Sequence, residues 1–134
     1  MTDEALIARA AEMTHRAWAP YSHYHVGAAL LGSDGQVYTG CNIESASFGA
    51  TICAERSAIA AAFAAGCSTF TRAAVISDHA AVCTPCGICR QLLFEFSDNL
   101  VVLCCSPDGT VLRLRAEELL PHAFGARSMG GEDL

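Results

Sequence analysis

The period of apolar and polar positions changes several times along the chain, and each change marks an element. Between residues 3 and 18 the positions Leu6, Ala10, Met13 and Ala17 recur at i, i+4, i+7 and i+11, the spacing of one helical face. Asp3 and Glu4 suit the positive end of that helix's dipole, and Pro20 stops it. "VGAALL" (26–31) and "QVYTGCNIE" (36–44) read as strands joined by "GSDG", whose Asp-Gly signals a hairpin, so an antiparallel pair is predicted. "CAERSAIAAAFAA" (53–65) is dense in helix formers and is closed by Gly66. That helix is apolar on more than one face, so the sheet covers one side and something else must cover the other; Ile59 and Phe63, at i and i+4, read as core or subunit contact.

Beyond Gly66 the pattern alternates strand and helix: "RAAVIS" (72–77) as a buried strand, "CGICRQLLFEFS" (86–97) as a helix, "LVVLCC" (100–105) as a second buried strand. "SPDG" is a turn, "TVLRLR" an edge-like strand, and "AEELLP" a short helix before a Gly-rich tail. Strands alternating with helices predict an α/β class: a three-layer α/β/α sandwich around a mixed sheet of about five strands. The 134 residues suit a single domain over 1–134, without repeat or linker.

Composition narrows the partners. Hydrophobic residues are 52% and charged residues 16%, which is apolar for a small monomer and predicts surface shared with another subunit. A net charge of -6 supplies no basic footprint for a nucleic-acid polymer, although a small nucleoside is not excluded. The N-terminus carries acidic residues where a secretory signal would be basic, and charged residues, His or Gly break every apolar stretch, so no membrane partner and a cytoplasmic location are expected. There, eight cysteines read as buried thiols and metal ligands rather than disulfides.

The chemistry concentrates in "TICAERSA" (51–58) and "CTPCGICRQ" (83–91). Cys53, Cys86 and Cys89 offer three thiolates, the ligand number of a catalytic zinc site that leaves a fourth position for water. Cys-x-x-Cys at a helix start faces both sulfurs to one point, and the free N–H groups there favour thiolate; with Cys53 opening the preceding helix, two helix starts would converge on one Zn²⁺. Glu55 would stand one short step from the metal, where a carboxylate can handle the proton of a water whose pKa zinc lowers to about 7. Three thiolates leave the ligand set negative, and Arg56 donating to them would withdraw that excess. The competing readings are a structural zinc knuckle, which has little use for Glu55, and a redox Cys-x-x-Cys, which needs no third cysteine. Cys41, Cys67, Cys83, Cys104 and Cys105 read as small buried hydrophobes, and none of the five histidines is assigned to the metal.

"C53-A-E55" followed, after one strand-like run, by "P85-C-G-I-C89-R-Q" resembles the zinc-deaminase signature. With "GCNIE" (40–44) and "ELLPHAF" (118–124), the chain resembles the small homotetrameric cytidine deaminases over nearly its full length. The resemblance implies hydrolytic deamination of cytidine and 2′-deoxycytidine to the uridine nucleosides with release of ammonia, and a place in pyrimidine salvage. Zinc hydroxide would attack C4 of the base while Glu55 shuttles protons. It implies that Asn42 and Glu44 hold the ribose hydroxyls; by spacing alone these two fit a solvated strand end equally well. Thr84 would offer its carbonyl to the exocyclic amine and Ala54 its backbone to the base edge. Tyr24 stands where the family usually has Phe, and Phe48 where Tyr is common; Phe124 matches an aromatic contributed by a neighbouring subunit. Tyr24, flanked by His23 and His25, adds a hydroxyl near the sugar or base. The alternatives are a deaminase of a modified cytosine nucleoside such as blasticidin S, and, outside the enzymes, a zinc-stabilised interaction module with a fourth protein ligand.

Overall fold

The computed structural model describes residues 1–97 and 99–130. Helix α1 (Asp3–Met13) leads into β1 (Val26–Gly32) and β2 (Val37–Cys41); then come α2 (Ala54–Ala64), β3 (Phe70–Ser77), α3 (Gly87–Phe96), β4 (Val101–Cys105), β5 (Val111–Arg115) and the short α4 (Ala116–Leu119). The five strands form one mixed sheet in the order β2-β1-β3-β4-β5. β1 pairs antiparallel with β2 and β3, β3 runs parallel to β4 across α3, and β5 closes the far edge antiparallel to β4. The Asp-Gly hairpin and the edge character of the last strand are as the sequence predicts.

Strand alternation sends consecutive side chains to opposite faces, and both faces are covered. On one, Leu6 and Ala10 of α1 pack on Ala29, Ala74, Ile76, Leu103 and Cys105. On the other, Ala54, Ala58 and Ala62 of α2, Leu93 of α3 and Leu119 of α4 pack on Ala28, Leu30, Val75, Val102 and Cys104. Coverage of both faces explains why "RAAVIS" and "LVVLCC" read as nearly continuous apolar runs. A fully buried leucine such as Leu6 or Leu103 contributes about 2 kcal/mol. Asp3 fastens the first turn of α1 by accepting from Arg72 of β3 and Arg113 of β5, and the two guanidinium groups hold its carboxyl below the usual carboxylate range.

Two boundaries differ from the sequence reading. Helix α1 ends at Met13, and Thr14–Arg16 tighten into a 3₁₀ turn. The Thr14 hydroxyl donates to the Ala11 carbonyl at 2.7 Å, and Trp18 leaves the helix to pair with an extended segment: its N–H donates to the Asn42 carbonyl at 2.9 Å, and Glu44 N–H donates to its carbonyl at 2.8 Å. Long-range pairing outweighs helical periodicity here. Strand β2 correspondingly stops at Cys41, and the chain stays extended through isolated bridges from Ile43 to Trp18 and Ile52. The Gly-rich tail forms a 3₁₀ turn at Ala126–Met129, and its last residues, 131–134, lie outside the described residues.

Helix α2 ends where expected, with Gly66 at φ 88°, a left-handed conformation that costs glycine little. The same helix lies unusually close to β2. A Cβ on Gly40 would stand 2.4 Å from the Ala58 nitrogen and 2.5 Å from the Ala54 carbonyl oxygen. Only a bare backbone lets the helix carrying "CAER" approach the strand leading to Asn42 and Glu44. Because the atoms met are backbone, they cannot swing aside, so Gly40→Ala should cost about 2 kcal/mol or more, read as a lower urea midpoint at unchanged m-value.

Candidate active site

Cys53 is the N-cap of α2 and Cys86 the N-cap of α3, both with extended backbone. An N-cap side chain folds over the first helical turn towards the third helical residue. On α3 that third residue is Cys89, which is why the Cys-x-x-Cys spacing brings the Cys86 and Cys89 sulfurs to 3.5 Å. On α2 it is Arg56, whose Nη2 reaches back to within 3.9 Å of the Cys53 sulfur and donates to the Thr51 carbonyl at 2.9 Å. The two helix starts meet: Cys53 Sγ lies 3.6 Å from Cys86 Sγ. All three sulfurs fall within 4.8 Å of one another, and among the described residues they are the one group of three or more His, Cys, Asp or Glu so arranged.

Glu55 follows the N-cap by two residues and is 6% exposed. Burial pushes its carboxyl up to about 7, assisted by the Cys53 charge and opposed by its own backbone N–H, a Cys89 hydrogen bond and Arg56. The Cys53 thiol is drawn down to about 5, first by hydrogen bonding from Cys89 and then from Cys86 and Arg56, while Cys89, the donor, is pushed up. A bound dication would draw these groups towards their ionised forms. Arg56 Nε is buried without a partner, so the guanidinium is held against the sulfurs at the cost of one unsatisfied donor.

Asn42 and Glu44 both point towards the segment 20–26. Asn42 is buried, with Oδ1 accepting from Val26 N–H and Nδ2 donating to the Tyr24 carbonyl, both at 2.8 Å. Glu44 accepts the N–H groups of Tyr21 and Ser22 and the Ser22 hydroxyl. Each keeps spare capacity, a second N–H on Asn42 and further lone pairs on Glu44. The Tyr24 hydroxyl lies beside Cys83 and Ser77, near the Glu55 charge, and its ring meets His79 edge-on with centroids 4.6 Å apart. Ala54 is buried as the first residue of α2, and Thr84 is exposed in the irregular segment before Pro85. Phe48 is 76% exposed and Phe124 63% exposed, so this chain alone does not enclose them.

The family model for the cytidine and deoxycytidylate deaminase zinc-binding region matches residues 1–105. The chain belongs to that deaminase family. A cytidine deaminase of Halalkalibacterium halodurans is 41% identical over 131 residues, 96% of this chain and 98% of its own length. One from Sporosarcina psychrophila is 38% identical over 130 residues, 96% of both chains. The crystal structure of cytidine deaminase from Burkholderia pseudomallei superposes with a TM-score of 0.89 at 43% identity, covering 92% of this chain and 100% of that one.

The deaminase family's zinc fits these residues. Tetrahedral zinc with Zn–S bonds of about 2.3 Å sets sulfurs about 3.8 Å apart, close to the 3.5 and 3.6 Å found. The cluster has three members and no fourth His, Cys, Asp or Glu among the described residues, unlike a closed structural knuckle.

Several neighbours escaped the sequence reading. Tyr21 packs edge-on against Phe48 with centroids 6.0 Å apart, and the exposed aromatic after Pro20 was the available signal. His25 Nδ1 pairs with Asp78 at 2.7 Å, closing the ends of β1 and β3; no spacing rule links residues that far apart. Arg90 binds the nearby Pro85 carbonyl and the remote Leu119 carbonyl, and Gln91 the remote Phe124 carbonyl; only their place after Cys89 hinted at a role. Purified protein should carry one zinc per chain by atomic absorption, and Cys53→Ser combined with Cys86→Ser should abolish its retention against a chelator. Undiminished zinc in that double variant would put the metal elsewhere.

Proposed function

We propose that this protein is a zinc-dependent hydrolase that converts cytidine and 2′-deoxycytidine to uridine and 2′-deoxyuridine with release of ammonia. The observation that carries the reading is the buried carboxylate of Glu55, two residues beyond a thiolate of a three-sulfur cluster, in a chain aligned with cytidine deaminases over 96% of its length. Cys53, Cys86 and Cys89 would hold the zinc, which when bound would supply the Lewis acidity that makes water nucleophilic near neutral pH. Glu55 takes a proton from the attacking water, delivers it to N3 of the ring, and passes the next to the departing amine. Hydroxide adds at C4 as N3 is protonated; the proton of the new C4 hydroxyl then passes through Glu55 to the amine, the C4–NH₂ bond breaks as the C4 carbonyl forms, and ammonia leaves.

Asn42 and Glu44 bond the ribose hydroxyls with the capacity left after their hydrogen bonds to the 20–26 segment. Ala54 and the Thr84 carbonyl meet the polar edge of the base, and Tyr24 and Phe48 its faces and the sugar. Arg56 withdraws charge from the thiolates, the role its 3.9 Å approach to Cys53 supports. The same experiment tests both groups. Zinc-loaded protein should release ammonia from both nucleosides, Glu55→Ala should lower kcat about 10²- to 10⁴-fold, and Arg56→Ala should lower zinc affinity or turnover about tenfold or more. Turnover of a decorated analogue alone, such as blasticidin S, would keep the chemistry and replace the substrate.

The working form is a homotetramer in which Phe124 of one subunit meets the nucleoside of another. The outward residues of α2, Ala60, Ala61 and Ala64, are exposed, and Phe63 meets only Phe96 edge-on there among the aromatic pairs described. A groove of about 630 Å³ beside Arg56 is bordered by Ile88 and Leu92. These surfaces support subunit contact. Eight free thiols suit the reducing cytoplasm, deamination of a free nucleoside suits pyrimidine salvage, and no described helix is long and apolar enough to cross a membrane. Light scattering should return four times the 14.1 kDa chain mass; a monomeric mass would remove Phe124 from the site.

A further inference from the structure

We propose that Arg90 and Gln91, the two residues after Cys89 on α3, are positioning residues: Arg90 fixes the turn that presents Cys86, and Gln91 fixes Phe124. Arg90 Nε donates to the Pro85 carbonyl at 2.7 Å and Nη1 to the Leu119 carbonyl at 3.1 Å. Pro85 is buried directly before the N-cap cysteine, so pinning its carbonyl fixes the peptide plane that joins it to Cys86. The second bond satisfies a carbonyl at the end of α4 that has no helical partner. A guanidinium holds two such acceptors in one rigid fork, which an ammonium cannot reproduce.

Residues 120–124 form neither helix nor strand, and His122 there adopts a left-handed φ of 54°. No regular backbone ladder fixes Phe124, but Gln91 Nε2 donates to its carbonyl at 2.8 Å. The helix that presents two thiolates therefore also carries the aromatic that reaches outward. The Gln91 role rests on Phe124 being a nucleoside contact, as proposed above; the Arg90 role rests on the sulfur cluster alone.

The test compares zinc-loaded full-length wild type with Arg90→Lys and Gln91→Met. Arg90→Lys should weaken zinc affinity about tenfold in competition with a chromophoric chelator; should it fail to fold, Arg90→Gln carries the same expectation. Gln91→Met should raise KM for cytidine about three- to tenfold, more than it lowers kcat, and speed amide hydrogen exchange in residues 122–126. Zinc affinity equal to wild type overturns the Arg90 assignment, and unchanged KM with unchanged exchange overturns that of Gln91. A lower urea midpoint with every other readout unmoved would mean both residues are merely structural. If wild type fails to turn over cytidine, the proposed function falls, while chelator competition and hydrogen exchange still decide these two residues.

Discussion

Three thiolates must share a few ångströms of space, and most of the site answers to the resulting charge. Sulfurs 3.5 and 3.6 Å apart repel when ionised, and neither burial nor the apolar sheet beneath relieves that. Relief comes from the first turns of α2 and α3, whose unpaired N–H groups and dipoles favour anions, and from Arg56, reaching back from the third position of α2. Both helices must therefore begin at the same point in space, and the β3-α3-β4 crossover and the close seat of α2 on β2 deliver them there. Gly40 permits that seat: any side chain on it would meet the helix backbone.

The same constraint explains which parts of the site were legible in the sequence. N-cap and third-residue positions are local, so Cys86 with Cys89, and Cys53 with Arg56, could be read from sequence, as could the helix starts and the first antiparallel strand pair; the order of the strands in the sheet could not. Interactions that depend on the fold could not. Asn42 and Glu44 look like residues of a strand end, yet their side chains each make two hydrogen bonds to the backbone of residues 21–26, 16 or more positions away. The early end of α1 has the same origin, since Trp18 pairs with a segment that no helical periodicity reveals.

Tyr24 illustrates how those two kinds of information combine. From sequence its hydroxyl adds a polar group near the sugar or base. In the fold it lies beside Cys83 and Ser77, so the extra oxygen has neighbours on its own chain. The ring is bounded by His79, which also meets the His23 carbonyl at 3.2 Å, and the backbone on either side is tied down by Asn42 and Glu44. The segment 20–26 is thus held by Asn42 and Glu44, and in the proposed site sugar and base recognition would share that one set of hydrogen bonds. Removing the Asn42 amide would loosen Tyr24 as well as the proposed ribose contact, so a loss of affinity in such a variant would not measure that contact alone.

The exposed aromatics carry the remaining step. Phe48 and Tyr21 meet edge-on at the surface, and Phe124 stands on an irregular segment fastened to α3. A lone chain leaves these rings in water. Neighbouring copies packed as in the proposed tetramer would remove that exposure and complete the walls of the proposed nucleoside site in the same act. In the tetramer proposed above, the apolar excess of the composition, the bare outer face of α2 and the exposed rings would share a single physical cause, a site finished with part of another copy.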